Sequence, residues 1–286
     1  MRKLLPFALL VGLAVAAALA GSASSRPSAI SCSAPLLHQG TLTIGTDNPA
    51  YPPYFDGQEK SGTGFKASNP YSGKGFESAV AYAVAGKLGY SNAKVKWKPV
   101  HFVNSYAPGK KPFDFYLAQV SYKPVRAKAV DFSNGYFDVN QAVVAFSANK
   151  YSHARTVAGL KSAKIGVPLG TTSYDYVVRY IKPSQKPSVY PSQEAAVAGL
   201  KAHQIDAIVV DFPTAYYLAD VELSKATLVG RLPTRGGEEH FGIVFQKGNP
   251  LRACVNKALA ALKASGKLAQ LENTWITSKA HAPFLK

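Results

Sequence analysis

Short β-branched runs alternate with amphipathic helical stretches along most of this chain, and the alternation restricts its fold more than any other feature. The pattern predicts strands at residues 41–46, 94–100, 113–120, 140–147, 164–168, 207–211 and 240–246. It predicts helices at residues 76–88, 172–181, 192–203 and 212–219, and a last helix that begins at Asn249 and Pro250. Strands that alternate with helices of this length indicate α/β units with mostly parallel sheets.

The N-terminal residues predict an export signal. Arg2 and Lys3 precede an apolar stretch, residues 4–20, and small residues that suit a signal peptidase follow it. An uncleaved membrane anchor is the alternative, but the stretch is rich in alanine and contains Pro6. We therefore predict that residues 1–23 are a signal peptide, and that the mature chain lies in the periplasm or on the outer face of the cytoplasmic membrane.

The chain has two cysteines, Cys32 and Cys254, and both follow the predicted signal. An even number of cysteines in an oxidising compartment indicates a disulfide. The alternative is that Cys32 carries a lipid, but a lipidated cysteine directly follows the apolar stretch, whereas Arg26 and a serine-rich segment intervene here. We therefore expect a Cys32–Cys254 disulfide.

The mature length fits two α/β lobes. If Cys32 pairs with Cys254, the final helices pack on the lobe that begins the chain, and the middle of the chain is an insertion. The chain then crosses between the lobes twice, near residues 145–149 and 238–241, and the two crossings form a hinge. The predicted first lobe is residues 24–146 and 239–286, and the second is residues 147–238.

Basic residues outnumber acidic ones by 33 to 16, which gives a formal net charge of +17. A basic face is typical of nucleic-acid-binding proteins. The longest basic run is only Lys110-Lys111, however, and the sequence has neither a basic helical stripe nor a zinc-finger spacing. We therefore interpret the charge as a surface property and expect no nucleic acid as a partner.

Two predicted strands end in residues that suit a charged ligand. Gly170, Thr171 and Thr172 form a turn before a helix, where backbone N–H groups and hydroxyls can bind an anion or simply cap the helix. Asp211 ends a later strand, where a carboxylate can receive a ligand ammonium group or cap the next helix. The local sequence leaves both pairs of alternatives open.

Three further features are candidates for the same site. Ser121 ends one predicted strand and Arg126 follows it, and an arginine fork matches a carboxylate. A surface arginine without a partner is the commoner case. Asp47 follows the first predicted strand, and the aromatic residues Tyr51 and Tyr54 follow among prolines, a composition that suits a cleft wall as well as a core.

Six segments carry a resemblance that covers residues 40–275. They are GTLTIGTDNPAYPPYF, GKGFESAVAYAVAGKLG, VSYKPVRAKAVDFSNGYF, IGVPLGTTSYDY, DAIVVDFPTAYYL and GIVFQKGNPLRACVNKALAALKASGKL. Together they resemble the extracellular solute-binding proteins (family 3) that serve polar amino-acid ABC transporters. The resemblance implies a type II periplasmic-binding-protein-like fold, in which two α/β lobes are joined by a two-strand hinge, with no cofactor and no metal.

The resemblance also implies roles for individual residues. Arg126 and Thr172, with Thr171 beside it, would bind the α-carboxylate of an amino acid, and Ser121 would assist them. Asp211 would receive the α-ammonium group. The side chain of the ligand would face Asp47, Tyr51 and Tyr54.

Departures from the family pattern concern the ligand side chain. Gln119 stands where relatives often have glycine or serine, so it would line or fill the pocket. The helix before the FD strand is shortened to residues 104–112, which leaves Phe102 and Tyr106 as candidates for an aromatic lid. Pro168 removes a backbone donor.

The resemblance predicts a monomeric substrate-binding protein that binds a polar or cationic amino acid and delivers it to an ABC transporter permease. A net charge of −1 for Asp47, Arg126 and Asp211 favours this ligand class. The alternative is an enzyme on the same fold, similar to cyclohexadienyl or arogenate dehydratases, with Asp211 or Glu77 as the acid. An adhesive, polyanion-binding surface protein is a third hypothesis.

Overall fold

The computed structural model describes residues 29–277 and 282–286, and its strands form two five-stranded sheets. The strands are β1 (Leu42–Thr46), β2 (Val95–Pro99), β3 (Phe115–Tyr116), β4 (Val130–Val139), β5 (Gln141–Phe146), β6 (Ile165–Pro168), β7 (Ser188–Tyr190), β8 (Ala207–Asp211), β9 (Ala226–Arg231) and β10 (Glu239–Gln246). The helices are α1 (Phe76–Lys87), α2 (Phe102–Ser105), α3 (Pro124–Ala127), α4 (Thr172–Tyr176), α5 (Gln193–Lys201), α6 (Phe212–Tyr217), α7 (Leu251–Ala264) and α8 (Lys267–Glu272).

Each sheet is the centre of one lobe. The first sheet has the order β2-β1-β3-β10-β4 and the second has the order β7-β6-β8-β5-β9. In each sheet two strand pairs are parallel and two are antiparallel, so the sheets are mixed rather than mostly parallel. The antiparallel pairs all involve β5 or β10, the strands that lead the chain into and out of the second lobe.

Helix α1 shows why the sequence forms a helix at this position. Its residues Phe76, Val80, Ala81 and Val84 recur at helical spacing and are buried in the core of the first lobe. The helix ends before Gly89, whose φ of +86° suits the glycine that commonly follows a helix. Helix α7 packs beside α1 on the same lobe.

The boundary between the lobes differs from the prediction at residues 141–146. These residues were assigned to the first lobe, whereas β5 lies between β8 and β9 in the second sheet. Residues Ala142 to Ala145 of β5 are fully buried, as a central strand requires. The chain therefore leaves the first lobe at Asn140, between β4 and β5, and the polar residues after Phe146 are a loop of the second lobe.

The last residues also differ from the prediction, which places residues 239–286 in the first lobe. Residues 282–286 lie along β9 of the second lobe, although they follow helices of the first lobe. The N–H of Arg231 donates to the carbonyl of Pro283 at 2.9 Å, and the N–H of Leu285 donates to the carbonyl of Arg231 at 2.8 Å. Leu285 is buried in the core of the second lobe.

The predicted disulfide between Cys32 and Cys254 is confirmed, with 5.8 Å between the two Cα atoms. Cys254 lies on α7, so the bond joins the N-terminal segment to the last helices of the first lobe. The predicted signal, residues 1–23, lies outside the described residues. Within residues 29–277 and 282–286, no helix has both the length and the apolar character needed to cross a bilayer.

The disulfide closes a loop of 222 residues, so its loss should lower the free energy of unfolding. We expect the Cys32→Ser/Cys254→Ser double variant to lose roughly 2–4 kcal/mol, because the unfolded chain regains conformational entropy. Urea unfolding of both proteins, with and without reductant, measures the difference. Reductant should affect only the wild type, and equal midpoints for all four samples would contradict the prediction.

Candidate functional site

A cavity of about 500 Å³ lies between the two lobes, at the carboxyl ends of strands from both sheets. The first lobe contributes segments after β1, before and along α2, and after β3. The second lobe contributes the turn before α4, the start of α5 and the end of β8. Eight of the nine residues predicted to bind a ligand line the cavity: Asp47, Tyr51, Gln119, Ser121, Arg126, Thr171, Thr172 and Asp211.

Arg126 is a buried cation that faces this cavity. Its residue is 5% exposed, and its guanidinium carbon lies 5.4 Å from the ring centre of Phe102 and 4.4 Å from that of Tyr106. Burial lowers the pKa of the guanidinium. Among the described residues, no carboxylate oxygen lies within 4 Å of it. The two aromatic residues predicted as a lid instead make cation–π contacts with Arg126.

Carbonyl oxygens accept the hydrogen bonds that Arg126 donates. One terminal nitrogen donates to the carbonyl of Ser121 at 2.6 Å, and the other donates across the cleft to the carbonyl of Gly170 at 2.7 Å. The hydroxyl of Tyr106 donates to the same Gly170 oxygen at 3.3 Å. These bonds aim the guanidinium at the turn before α4, and they leave its positive charge without an ionic partner.

The turn before α4 brings two hydroxyl groups to the cavity. Gly170 has a φ of +74°, a conformation that glycine adopts without strain. Thr171 is the N-cap residue of α4, but its hydroxyl makes no capping bond and donates to the carbonyl of Pro168 at 2.8 Å. Thr172 accepts from the amide nitrogen of Gln141 at 3.3 Å. The threonine hydroxyls are therefore held at the cavity by bonds other than a simple helix cap.

Asp211 presents a carboxylate from the opposite lobe to Arg126. Although it is the N-cap residue of α6, its side chain makes no capping hydrogen bond. Its Oδ1 accepts from Nε2 of Gln141 at 2.7 Å, and Gln141 is its direct neighbour in the β5–β8 register. Burial and the nearby negative charge of Glu239 raise the pKa of Asp211 well above its usual value. An incoming ammonium group would reverse this shift by favouring the carboxylate.

Gln141 and Glu239 connect these groups through the hinge, and the sequence analysis missed both. The Nε2 of Gln141 donates to Glu239 at 3.1 Å as well as to Asp211, and its Oε1 accepts from the hydroxyl of Ser173 at 2.6 Å. Glu239 also accepts from the hydroxyl of Ser121 at 2.5 Å. A polar residue at the start of the apolar run QAVVAF was the available signal for Gln141.

Gln119 lines the cavity with an unusual backbone, since its φ is +52°. The buried carboxylate of Glu77 anchors it by accepting from its N–H at 2.7 Å and from its side-chain amide. The hydroxyl of Tyr136 donates to the same carboxylate. Burial raises the pKa of Glu77 to about 7. Glu77, proposed as an acid in the enzyme alternative, does not line the cavity and instead positions Gln119.

The residues of the aromatic segment after β1 lie partly in the cavity lining and partly in the core of the first lobe. Asp47 and Tyr51 line the cavity, whereas Tyr54 is 1% exposed and packs against Phe241 in the first lobe. Its hydroxyl accepts from Thr214 of the second lobe at 3.4 Å. Tyr54, predicted to face the ligand, is therefore a core residue that contacts the other lobe. The cavity also contains Glu194 from α5, a carboxylate that the sequence analysis did not name.

Fold and cavity together define a two-lobed protein that binds a solute in the cleft between its lobes. The model of the bacterial extracellular solute-binding proteins, family 3, matches residues 42–278. The chain belongs to this family. The family and the two-lobed type II fold predicted from the sequence are confirmed.

Curated relatives and solved structures give the same result. The L-cystine-binding protein TcyJ of Escherichia coli (strain K12) is 28% identical over 240 residues, 83% of each chain. An ancestral arginine-binding protein, solved with arginine bound, is 31% identical with a TM-score of 0.67 and covers 84% of this chain and 99% of its own. The ancestral amino acid-binding protein AncCDT-1, a precursor of cyclohexadienyl dehydratase, is 26% identical with a TM-score of 0.66 over 83% and 96%.

The buried carboxyl of Glu77 should give stability a pH dependence that Glu77→Gln removes. Its pKa rises from 4.5 to about 7 on folding, so the folded chain binds the proton more tightly. The free energy of unfolding of the wild type should therefore fall, relative to Glu77→Gln, by about 3 kcal/mol as the pH rises through this window. Urea unfolding at several pH values measures this change in the free energy of unfolding, with substitution of the exposed Glu238 by glutamine as the control. Parallel pH profiles of stability for the wild type and Glu77→Gln would rule out the raised pKa of Glu77.

Proposed function

We propose that this chain is the substrate-binding protein of an amino-acid ABC transporter, which binds the zwitterion of one α-amino acid between its lobes. One observation carries the proposal. Two groups line the same cavity from opposite lobes: the buried guanidinium of Arg126, which has no ionic partner among the described residues, and the half-buried carboxylate of Asp211, whose pKa is raised. A ligand with both an anionic and a cationic group compensates both charges at once.

Each group of the ligand has a partner in the cavity. The α-carboxylate binds the fork of Arg126 and the hydroxyls of Thr171 and Thr172. The α-ammonium group binds Asp211, and the hydroxyl of Ser121 assists the ligand backbone. The side chain extends toward Gln119, Asp47 and Tyr51.

Ligand contacts from both lobes favour the closed arrangement of a hinged protein. The lobes already touch through Arg126 and Gly170, and through an ion pair between Lys123 and Asp175. Closure presents one defined surface to a membrane permease, to which the monomeric chain delivers the amino acid. Residues 1–23 direct export and are removed, so the protein acts in the periplasm or on the outer face of the cytoplasmic membrane.

Binding is favoured over catalysis by the placement of the acids. Dehydration of a cyclic acid needs a general acid that reaches the substrate. Glu77 is sealed behind Gln119, and Asp211 is held by Gln141 in a position that suits an ammonium group. The relatives described above are named for binding arginine, cystine and amino acids, which agrees with a transport role.

Loss of Arg126 should abolish most of the affinity. We expect Arg126→Ala to weaken binding by roughly 2–5 kcal/mol, because the ligand carboxylate loses its buried ionic partner. A thermal-shift screen of the common amino acids and cystine identifies a ligand, and calorimetric titration measures its affinity. Arg252→Ala, on the exposed side of α7, is the control. An Arg126→Ala protein that binds as tightly as the control would refute the carboxylate assignment.

Ligand binding should release a proton from Asp211. Because burial and the charge of Glu239 raise the pKa of Asp211, the free protein keeps the Asp211 proton to a higher pH than the complex, in which the ligand ammonium group favours the carboxylate. Affinity should therefore rise with pH and level off once Asp211 is ionised in the free protein. Calorimetry in buffers of different ionisation enthalpy should detect release of about one proton on the acidic side of that plateau. A binding enthalpy that is independent of the buffer throughout would contradict this.

A further inference from the structure

We propose that Glu194 is a specificity-determining residue which, with Asp47, makes closure of the lobes depend on a ligand whose side chain ends in a cation. The proposal rests on the proposed function, in which Arg126 and Asp211 hold the backbone of an amino acid. It adds the substrate class and a residue to which the sequence analysis assigned no role.

Glu194 and Asp47 approach the cavity from opposite lobes. Glu194 is in the first turn of α5, where Ser192 caps the helix by accepting from the N–H of Ala195 at 3.2 Å. Asp47 directly follows β1, and its Oδ1 accepts from the N–H of Asn48 at 2.8 Å. Both residues line the cavity, together with the segments 48–51 and 191–193 on either side. The cavity thus has a carboxylate on each of these two walls.

The two carboxylates are close enough to influence each other. The charge of Glu194 contributes to a raised pKa of Asp47, after the larger effect of burial. Glu194 also acts on Tyr51 of the first lobe, which lines the same cavity and whose pKa is raised by burial and by this carboxylate. Closing the cleft therefore brings two like charges closer together.

Nearby cations do not neutralise this pair. Among the described residues, no lysine or arginine nitrogen lies within 4 Å of either carboxylate. The imidazole of His101, whose side chain is 77% exposed, is 3.9 Å from Asp47, and it lowers the Asp47 pKa against the effects of burial and Glu194. Lys201 acts on Glu222, a third acid whose charge adds to those felt by Tyr51. Within the part of the chain that the structure describes, Asp47 and Glu194 thus have no lysine or arginine as an ionic partner.

Ligand charge decides whether closure is favourable. The zwitterionic backbone compensates Arg126 and Asp211, which leaves the charges of Asp47 and Glu194. A neutral side chain such as that of glutamine leaves them facing each other, and their repulsion in a partly desolvated cleft opposes closure. The guanidinium of arginine or the ammonium group of lysine is attracted to both carboxylates and so holds the two lobes together. Discrimination thus comes from a penalty on the wrong ligand as well as from attraction of the right one.

Calorimetry and small-angle X-ray scattering with arginine, lysine and glutamine test the proposal on wild type, Glu194→Gln, Glu194→Asp and the exposed control Glu238→Gln. In the wild type, arginine or lysine should bind at least about tenfold more tightly than glutamine and reduce the radius of gyration, whereas glutamine should not. Glu194→Gln should cut this preference about tenfold and allow glutamine to compact the protein. Glu194→Asp, which keeps the charge, should retain the preference, as should Glu238→Gln.

The outcomes separate this proposal from the function on which it rests. If the wild type binds amino acids and Arg126→Ala does not, but Glu194→Gln keeps the full preference, the proposed function stands and the role of Glu194 is refuted. Equal affinity of the wild type for arginine and glutamine refutes it as well. If the wild type binds no amino acid, the proposed function fails and the role of Glu194 fails with it.

Discussion

The desolvated charge of Arg126 is the constraint on which the arrangement of the two lobes depends. Burying a guanidinium is costly unless other groups replace the water around it. Here two aromatic rings of the first lobe make cation–π contacts with it, and the carbonyls of Ser121 and Gly170 accept its hydrogen bonds. Since Gly170 belongs to the second lobe, part of this compensation exists only when the lobes are together. Carbonyl oxygens solvate the cation without neutralising it, so a carboxylate entering the cavity gains the ionic interaction that the protein leaves unused.

A second chain of hydrogen bonds carries the state of the cavity into the hinge. Ser121 and Gln141 both donate to Glu239, the first residue of β10, and Gln141 also donates to Asp211. The amide nitrogen of Gln141 thus donates to two carboxylates of like charge, and a ligand cation beside Asp211 reduces their repulsion. A ligand ammonium group that binds Asp211 changes the hydrogen bonding of Gln141, and therefore the bond that Gln141 donates to Glu239. This is a physical route from ligand binding to the strands that join the lobes.

The local sequence pattern was sufficient to predict those elements whose conformation depends mainly on their own residues. The spacing in α1, the glycine after it and the Gly-Thr-Thr turn before α4 all reflect short-range physics, and the structure has them where the sequence predicts. Tyr54 could not be assigned this way, because an aromatic residue among prolines suits a core and a cavity equally, and packing against Phe241 decides between them. Glu194 and Gln141 were missed because their roles arise only when distant segments meet across the cleft. The lobe boundary at Asn140 was missed because a single residue is enough for the chain to pass from one sheet to the other.

The overall charge and the charge of the cleft act on different steps of binding. A formal net charge of +17 belongs mostly to exposed side chains, whose field is screened over about 8–10 Å at physiological ionic strength. That field affects how often a charged ligand reaches the cleft, and it disfavours a cation. Asp47 and Asp211 are half-buried in the cavity lining, where screening is weaker than at the surface, and Glu194 lines the same cavity from an exposed position. Once a ligand is inside, the cleft alone determines how long it stays. A strongly basic protein can therefore retain a cationic amino acid, because specificity is set at distances shorter than the reach of its surface charge.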